Sequence, residues 1–199
     1  MVKKDDKTFY ILGERSVSSK PPGIEVKNFQ QLKLPGRATI FQAYDSGEIP
    51  IYPERPVLIY DEKMGRMPFD FDRYGTYWLI SERCKEVFHQ ADEDAFSYVE
   101  CDFELSGGTR GPKYYFCMPL YSFDVVVREK SNMRIKEFGG GRVLYHLMLA
   151  ERVVIDSSST EGRHLFHVTH SATQLCDEYF KAQCIDAGLT GITFVKLKT

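Results

Sequence analysis

Apolar and polar residues alternate along residues 97–105, as they do in a strand that buries one face. The apolar set of this segment consists of Val99, Cys101, Phe103 and Leu105. The acidic set on the opposite face consists of Glu100, Asp102 and Glu104. The segment is therefore predicted to form a half-buried strand with an acidic outer face.

Compact apolar runs predict further strands. Residues 57–60 and 77–80 have the composition of buried strands. Residues 114–118 and 123–127 are expected to form an antiparallel pair around the turn at 119–122. Shorter runs predict strands at residues 9–12, 142–147, 151–155, 164–168 and 192–197.

Capping residues and helical spacing predict two helices, at about residues 81–91 and 171–187. Ser81 is a suitable N-cap for the first helix. Ser171 is the predicted N-cap of the second, with Gln174 placed to complete a capping box. The apolar face of the first helix is formed by Cys84, Val87, Phe88 and Ala91. The predicted fold class is α+β, a mainly antiparallel twisted sheet with two principal amphipathic helices.

Prolines punctuate the first part of the chain. Six of the nine prolines lie between residues 21 and 56, which favours turns and extended segments over regular elements. The length of 199 residues fits a single domain. We expect residues 1–56 to form an irregular, proline-rich segment that packs on a core made by residues 57–199.

Composition and charge narrow the class of protein. Hydrophobic residues make up 43% of the chain and aromatic residues 14%, enough for a sizeable core. The formal net charge is −2, unlike that of a nucleic-acid-binding protein. No apolar window is long enough to span a membrane, and residues 9–12 are too short for a signal-peptide core. We therefore expect a cytoplasmic protein with five unpaired, mostly buried cysteines, and neither nucleic acid nor membrane as a partner.

Sequence motifs for catalysis are missing. Residues 139–141 are three glycines without the spacing of a phosphate-binding loop, and the chain contains no GxSxG motif. His164, His167 and His170 would not converge on a metal ion, because His167 would point to the opposite face of a strand. The sequence predicts no catalytic residue, no cofactor and no metal site.

The local charge pattern provides a candidate binding site. Residues 86–109 contain seven acids and neither lysine nor arginine. One interpretation is a solvated strand face that also prevents edge-to-edge aggregation. The other is an acidic docking surface for a basic partner, with apolar anchors supplied by Tyr98 and the proline-rich loop 49–52. The predicted partner-binding residues are Asp92, Glu93, Asp94, Tyr98, Glu100, Asp102 and Glu104.

Several segments resemble a known bacterial family. Residues 78–88 carry the run Trp-Leu-Ile-Ser-Glu-Arg-Cys-Lys-Glu-Val-Phe, a strand followed by a serine-capped helix. Residues 113–120 and 123–126 follow, then residues 163–168 before a helix, and residues 187–194 near the end. In this order the segments resemble the immunity proteins of polymorphic toxin systems, long catalogued as a domain of unknown function.

The resemblance covers about residues 78–199, whereas residues 1–77 match only loosely. It implies a stoichiometric inhibitor that binds and neutralises a cognate toxin in the bacterial cytoplasm. The motifs are structural, so no catalytic residue can be carried over from the family. The alternatives are an enzyme of small-molecule metabolism, such as a hydrolase with an unrecognised active site, and a scaffold protein. The sequence leaves the oligomeric state and the chemistry of the toxin open.

Overall fold

The structure, a computed structural model, describes residues 7–15, 20–43 and 47–199. Thirteen strands and two α-helices form in these residues, which confirms the α+β class. The first strands are β1 (Phe9–Glu14), β2 (Ile24–Val26), β3 (Val57–Tyr60), β4 (Phe71–Tyr74), β5 (Tyr77–Ser81), β6 (Phe96–Glu104) and β7 (Tyr114–Pro119). The remaining strands are β8 (Ser122–Phe123), β9 (Arg134–Glu137), β10 (Val143–His146), β11 (Leu165–Val168), β12 (Gln174–Asp177) and β13 (Ile192–Lys196). The helices are α1 (Glu82–Ala91) and α2 (Glu178–Asp186).

The strands form three sheets, mainly antiparallel as predicted. The largest sheet has six strands in the order β2-β3-β6-β7-β5-β4, and all its pairs are antiparallel except β3 with β6. The second has five strands in the order β13-β1-β12-β11-β8, antiparallel except for β11 with β8. A separate antiparallel hairpin joins β9 to β10.

The two helices lie between the two larger sheets. Phe88 of α1 and Phe180 of α2 are fully buried, with ring centroids 5.0 Å apart. Trp78 of the six-stranded sheet and Leu165 of the five-stranded sheet belong to the same core. Each sheet buries its other face under a further layer. Residues 29–43 and 47–52 cover the six-stranded sheet, and the β9–β10 hairpin with its flanking loops covers the five-stranded sheet.

Two strand predictions were wrong. Residues 123–127 do not pair with β7, because β5 and β6 already occupy both edges of β7; β8 instead lies parallel to β11. Residues 151–155 form only isolated bridges, Asn132 with Arg152 and Val126 with Ile155.

The first helix matches its prediction, but the second begins later. The Ser81 hydroxyl accepts a hydrogen bond from the Cys84 amide at the start of α1. In α2 the N-cap is Asp177, whose carboxylate accepts from the Phe180 amide. Residues 174–177, predicted to be helical, form β12 between β1 and β11. Ser171 instead closes the preceding turn, with its hydroxyl bonded to the Val168 carbonyl and the Thr173 amide.

The N-terminal segment contains two strands. β1 lies inside the five-stranded sheet, with β13 on one side and β12 on the other, and β2 is an edge strand of the six-stranded sheet. Otherwise residues 20–43 and 47–56 run mostly as turns and extended chain, and Leu32 and Ile40 are almost completely buried against the six-stranded sheet. Residues 1–6, 16–19 and 44–46 lie outside the described part of the chain, and a single domain with residues 1–56 packed on a 57–199 core stays a prediction.

Asp70 ties three segments together through four hydrogen bonds. Its carboxylate accepts from the Ser81 hydroxyl at 2.8 Å, from Arg83 at 2.7 Å, and from the Thr190 amide and hydroxyl at 2.8 and 2.7 Å. Burial alone would raise the Asp70 pKa, but these donors outweigh it and lower the pKa from 3.8 to about 2. The ionised carboxylate therefore stabilises the fold.

Replacing Asp70 with asparagine should lower the free energy of unfolding by about 1–2 kcal/mol at pH 7. This free-energy estimate is kept small because Arg83 is half exposed, and solvent screens its attraction to the Asp70 carboxylate. Since the folded-state pKa is depressed, the stabilisation is present above about pH 4 and is lost as the pH falls towards 2. Urea unfolding of wild type and Asp70→Asn across this range measures the difference. The exposed Asp94→Asn variant is the control, and an equal effect of both substitutions at all pH values would contradict the prediction.

Candidate functional site

Asp92, one of the predicted binding residues, forms a buried ion pair within the protein. It is the C-cap of α1, and its side chain is buried. Its carboxylate lies 2.7 Å from the Arg163 guanidinium and accepts from the His164 amide at 3.1 Å. This pair joins the end of α1 to the start of β11, and it leaves Asp92 unable to offer an exposed charge.

Tyr98 is half-buried: it packs against the central core and also lines an open groove at the surface. Its ring lies 5.9 Å from Phe96, and the Lys85 ammonium sits 5.5 Å from the ring centroid. Burial raises the pKa of the phenol well above its usual range. Its hydroxyl is buried without a hydrogen-bond partner among the described residues. Tyr98 thus contributes to the central core and to the groove wall, and its role in partner binding stays a prediction.

Glu93 and Asp94 are exposed in the turn that follows α1. The Glu93 carboxylate lies 3.7 Å from the His89 ring, four residues earlier. These two acids remain accessible at the surface.

Glu100, Asp102 and Glu104, here called the acidic strip, point outwards as predicted but are not isolated acids. The Arg55 guanidinium bridges Glu100 at 3.1 Å and Asp102 at 3.2 Å. The Lys27 ammonium lies 2.9 Å from Glu104. The two cations come from the proline-rich segment, far away in sequence. They neutralise much of the strip and weaken the long-range field that the sequence suggested.

An open groove lies beside the acidic strip, between the proline-rich segment and the start of β6. Its volume is about 1200 Å³. One wall comes from β6, and Glu100 and Arg55 lie at its edge. The other wall is built from residues 34–37 and 48–56. The groove thus has a mixed lining of apolar and charged residues, a common composition for binding surfaces.

Ile51 is presented at this groove by a firmly held loop. Its side chain is 92% exposed, whereas its neighbours Ile49 and Tyr52 are buried. The Ile49 amide donates to the Ser97 hydroxyl at 3.0 Å, and the Tyr52 hydroxyl donates to the Ile40 carbonyl at 2.6 Å. The loop is therefore fixed on both sides of one protruding apolar residue.

Sequence reasoning identified the 49–52 loop but not which residue it exposes. Pro50 and Pro53 signalled a turn, yet nothing local distinguished buried Ile49 from exposed Ile51. The groove was also missed, because its two walls are distant in sequence.

The histidines have separate structural neighbours. His164 lies 2.8 Å from Asp177, which also caps α2. Burial lowers the pKa of His167. His170 adopts a positive φ of 64° in the turn before β12 and packs its ring on Tyr145. The described residues contain no cluster of three or more His, Cys, Asp or Glu side chains that could hold a metal ion.

The five cysteines are buried and unpaired, as predicted. Burial raises the pKa of all five thiols, and those of Cys101 and Cys184 rise to about 12. A nucleophilic cysteine needs a lowered pKa and access to substrate. These thiols therefore pack in the core and do not have the properties of nucleophiles.

Comparison with known proteins identifies the family of this chain. In the part of the chain that the structure describes, no helix is long and apolar enough to cross a membrane. A comparison with curated proteins finds no match. Residues 8–199 match the sequence profile of the family described as Immunity protein family (Imm11), and this match includes the N-terminal part for which the resemblance was only loose. Because the match extends over nearly the whole chain, the protein belongs to the Imm11 immunity protein family.

Proposed function

We propose that this protein neutralises one cognate toxin of a bacterial polymorphic toxin system by tight one-to-one binding, without turnover. Membership of the Imm11 family carries this proposal. The cytoplasm is the proposed place of action, and the toxin is the proposed partner rather than nucleic acid or membrane. The buried, protonated thiols and the structural histidines support inhibition by binding over chemical inactivation of the toxin.

The proposed binding surface is the groove with Ile51 and the acidic strip. Ile51 would insert into an apolar depression of the toxin, and the ion-paired strip would form part of the polar rim. Since the loop is already fixed by the bonds of Ile49 and Tyr52, little conformational entropy would be lost on binding. Glu93 and Asp94 add two exposed acids in the turn just before β6.

Inhibition without turnover requires a high affinity between this protein and the toxin. The complex must persist long enough to deny the toxin its target, which calls for a Kd of about 1 nM or lower, or about −12 kcal/mol. One exposed anchor and a charged edge supply only part of this energy. We therefore expect the toxin to cover the groove walls as well, with a standard-size interface of about 1,600 Å².

Co-expression with the toxin encoded beside this protein should test the proposal. Growth should be restored only when the immunity protein is present in at least equal amount, and the two chains should co-purify at a one-to-one ratio. The control is an unrelated toxin, which should remain lethal. Rescue at strongly substoichiometric levels would identify an enzyme and overturn the binding mechanism.

A further inference from the structure

The β9–β10 hairpin has one buried and one exposed face. Its register places Ile135 opposite Tyr145, and Lys136 opposite Leu144. Ile135, Val143 and Tyr145 pack onto the core beneath the five-stranded sheet. Because side chains alternate along a strand, the neighbouring positions of both strands point away from that core.

The outward positions are Arg134, Lys136, Leu144 and His146. Arg134 and Lys136 are exposed, and Leu144 and His146 are half-buried. Arg134 and His146 are direct cross-strand neighbours, so Arg134 has no acid opposite it. We call these four residues, together with Phe138, the hairpin face.

The cations of this region differ from those of the acidic strip. Residues 127–152 contain six lysines and arginines against three acids. Within the described residues, none of those six cations takes part in an ion pair, whereas every acid of the acidic strip does. The fold therefore keeps a local excess of positive charge at the surface of a chain whose net charge is −2.

Large apolar side chains are exposed in the same segment of the chain as these cations. Phe138, at the end of the hairpin, is 41% exposed, and the Lys136 ammonium lies 4.9 Å from its ring centroid. Met148 and Leu149, which follow β10, are 59% and 74% exposed. Exposed lysines alone would fit protection of a strand against aggregation. That role does not account for three exposed apolar residues in the same segment, which would themselves promote association.

We propose that the hairpin face, with Met148 and Leu149, binds an acidic surface of a protein partner. Apolar groups flanked by arginine and lysine match the composition of protein interfaces, and the positive charge selects a partner rich in Asp and Glu. A nucleic acid fits less well, because the chain lacks an overall basic character and the apolar residues would find few contacts along a phosphate backbone. This surface is separate from the groove and does not depend on toxin binding there.

Fluorescently labelled random copolymers test this chemistry. A glutamate–tyrosine copolymer should bind the full-length protein more tightly than a glutamate homopolymer, and its Kd should rise with salt. The Arg134→Glu/Lys136→Glu variant should bind the copolymer at least about tenfold more weakly. Leu149→Ser should reduce the preference for the tyrosine-containing polymer. Fluorescence anisotropy measures all three effects, and circular dichroism verifies folding.

The matched control is Lys20→Glu/Lys63→Glu, which makes the same charge change at exposed lysines elsewhere. It should bind the copolymer nearly as wild type does. If both double variants lost the same copolymer affinity, the effect would come from net charge alone, and the proposal would be overturned. So would absence of copolymer binding, or tighter binding of a DNA duplex than of the copolymer. None of these measurements uses the toxin, so failure here leaves the proposed function intact.

Discussion

Replacing Arg163 with methionine should lower the free energy of unfolding by about 3 kcal/mol or more. The Arg163 guanidinium lies 2.7 Å from the Asp92 carboxylate and 2.5 Å from the Tyr121 hydroxyl. The Asp92 side chain is only 6% exposed. Without Arg163, a buried carboxylate would remain at the C-terminal end of α1, where the helix dipole also disfavours negative charge. The pair links α1 to β11, so its loss should weaken the contact between the two large sheets.

Urea unfolding of a small set of variants measures this effect. Arg152→Met is the matched control, because Arg152 is exposed and forms no ion pair among the described residues. It should change stability by less than about 0.5 kcal/mol. The double variant Asp92→Asn/Arg163→Met should recover part of the loss, since it removes the unpaired charge. A variant Arg163→Met as stable as Arg152→Met would show that the pair does not hold the sheets together.

The elements that local chemistry determines were predictable. α1 has a serine cap, helical spacing of apolar residues and a buried face, all within residues 81–91, and it forms as expected. The alternation in β6 likewise identified its outward acids. Both signals depend only on neighbours in sequence, so neither required knowledge of the tertiary fold.

Elements determined by distant partners were not predictable. Residues 174–176 have helical capping and spacing, yet pairing with β1 and β11 draws them into a strand, and the helix begins only after Asp177. The balance between local propensity and sheet pairing cannot be read from one segment alone.

The same limit applies to the candidate site. Residues 86–109 contain acids and neither lysine nor arginine, but Arg55 and Lys27 from the proline-rich segment form ion pairs with the acidic strip. The sequence does not distinguish Asp92 from its exposed neighbours Glu93 and Asp94. Asp92 is buried because Arg163, from a distant segment, lies beside it. A surface charge can be predicted from sequence only where no distant chain lies over it.

Replacing Ile51 with serine should weaken toxin binding about 30-fold, or by about 2 kcal/mol. A single exposed apolar residue is ordinary on a protein surface. Ile51 differs because hydrogen bonds of Ile49 and Tyr52 fix its loop, and because it stands beside an open groove. An anchor held in its bound position loses little entropy on association, so most of its apolar contact contributes to affinity.

Isothermal titration with a catalytically inactivated toxin measures the change in Kd. Ile185→Ser is the matched control, because Ile185 is 56% exposed on α2 and loses the same side-chain atoms. Both variants should melt close to wild type, since neither side chain is buried. Ile51→Val should retain most of the affinity because it keeps a branched apolar contact. If Ile51→Ser binds as tightly as Ile185→Ser, the toxin docks elsewhere, although neutralisation by binding would still stand. A selective loss in Ile51→Ser, together with unchanged stability, would locate the inhibitory contact at the groove.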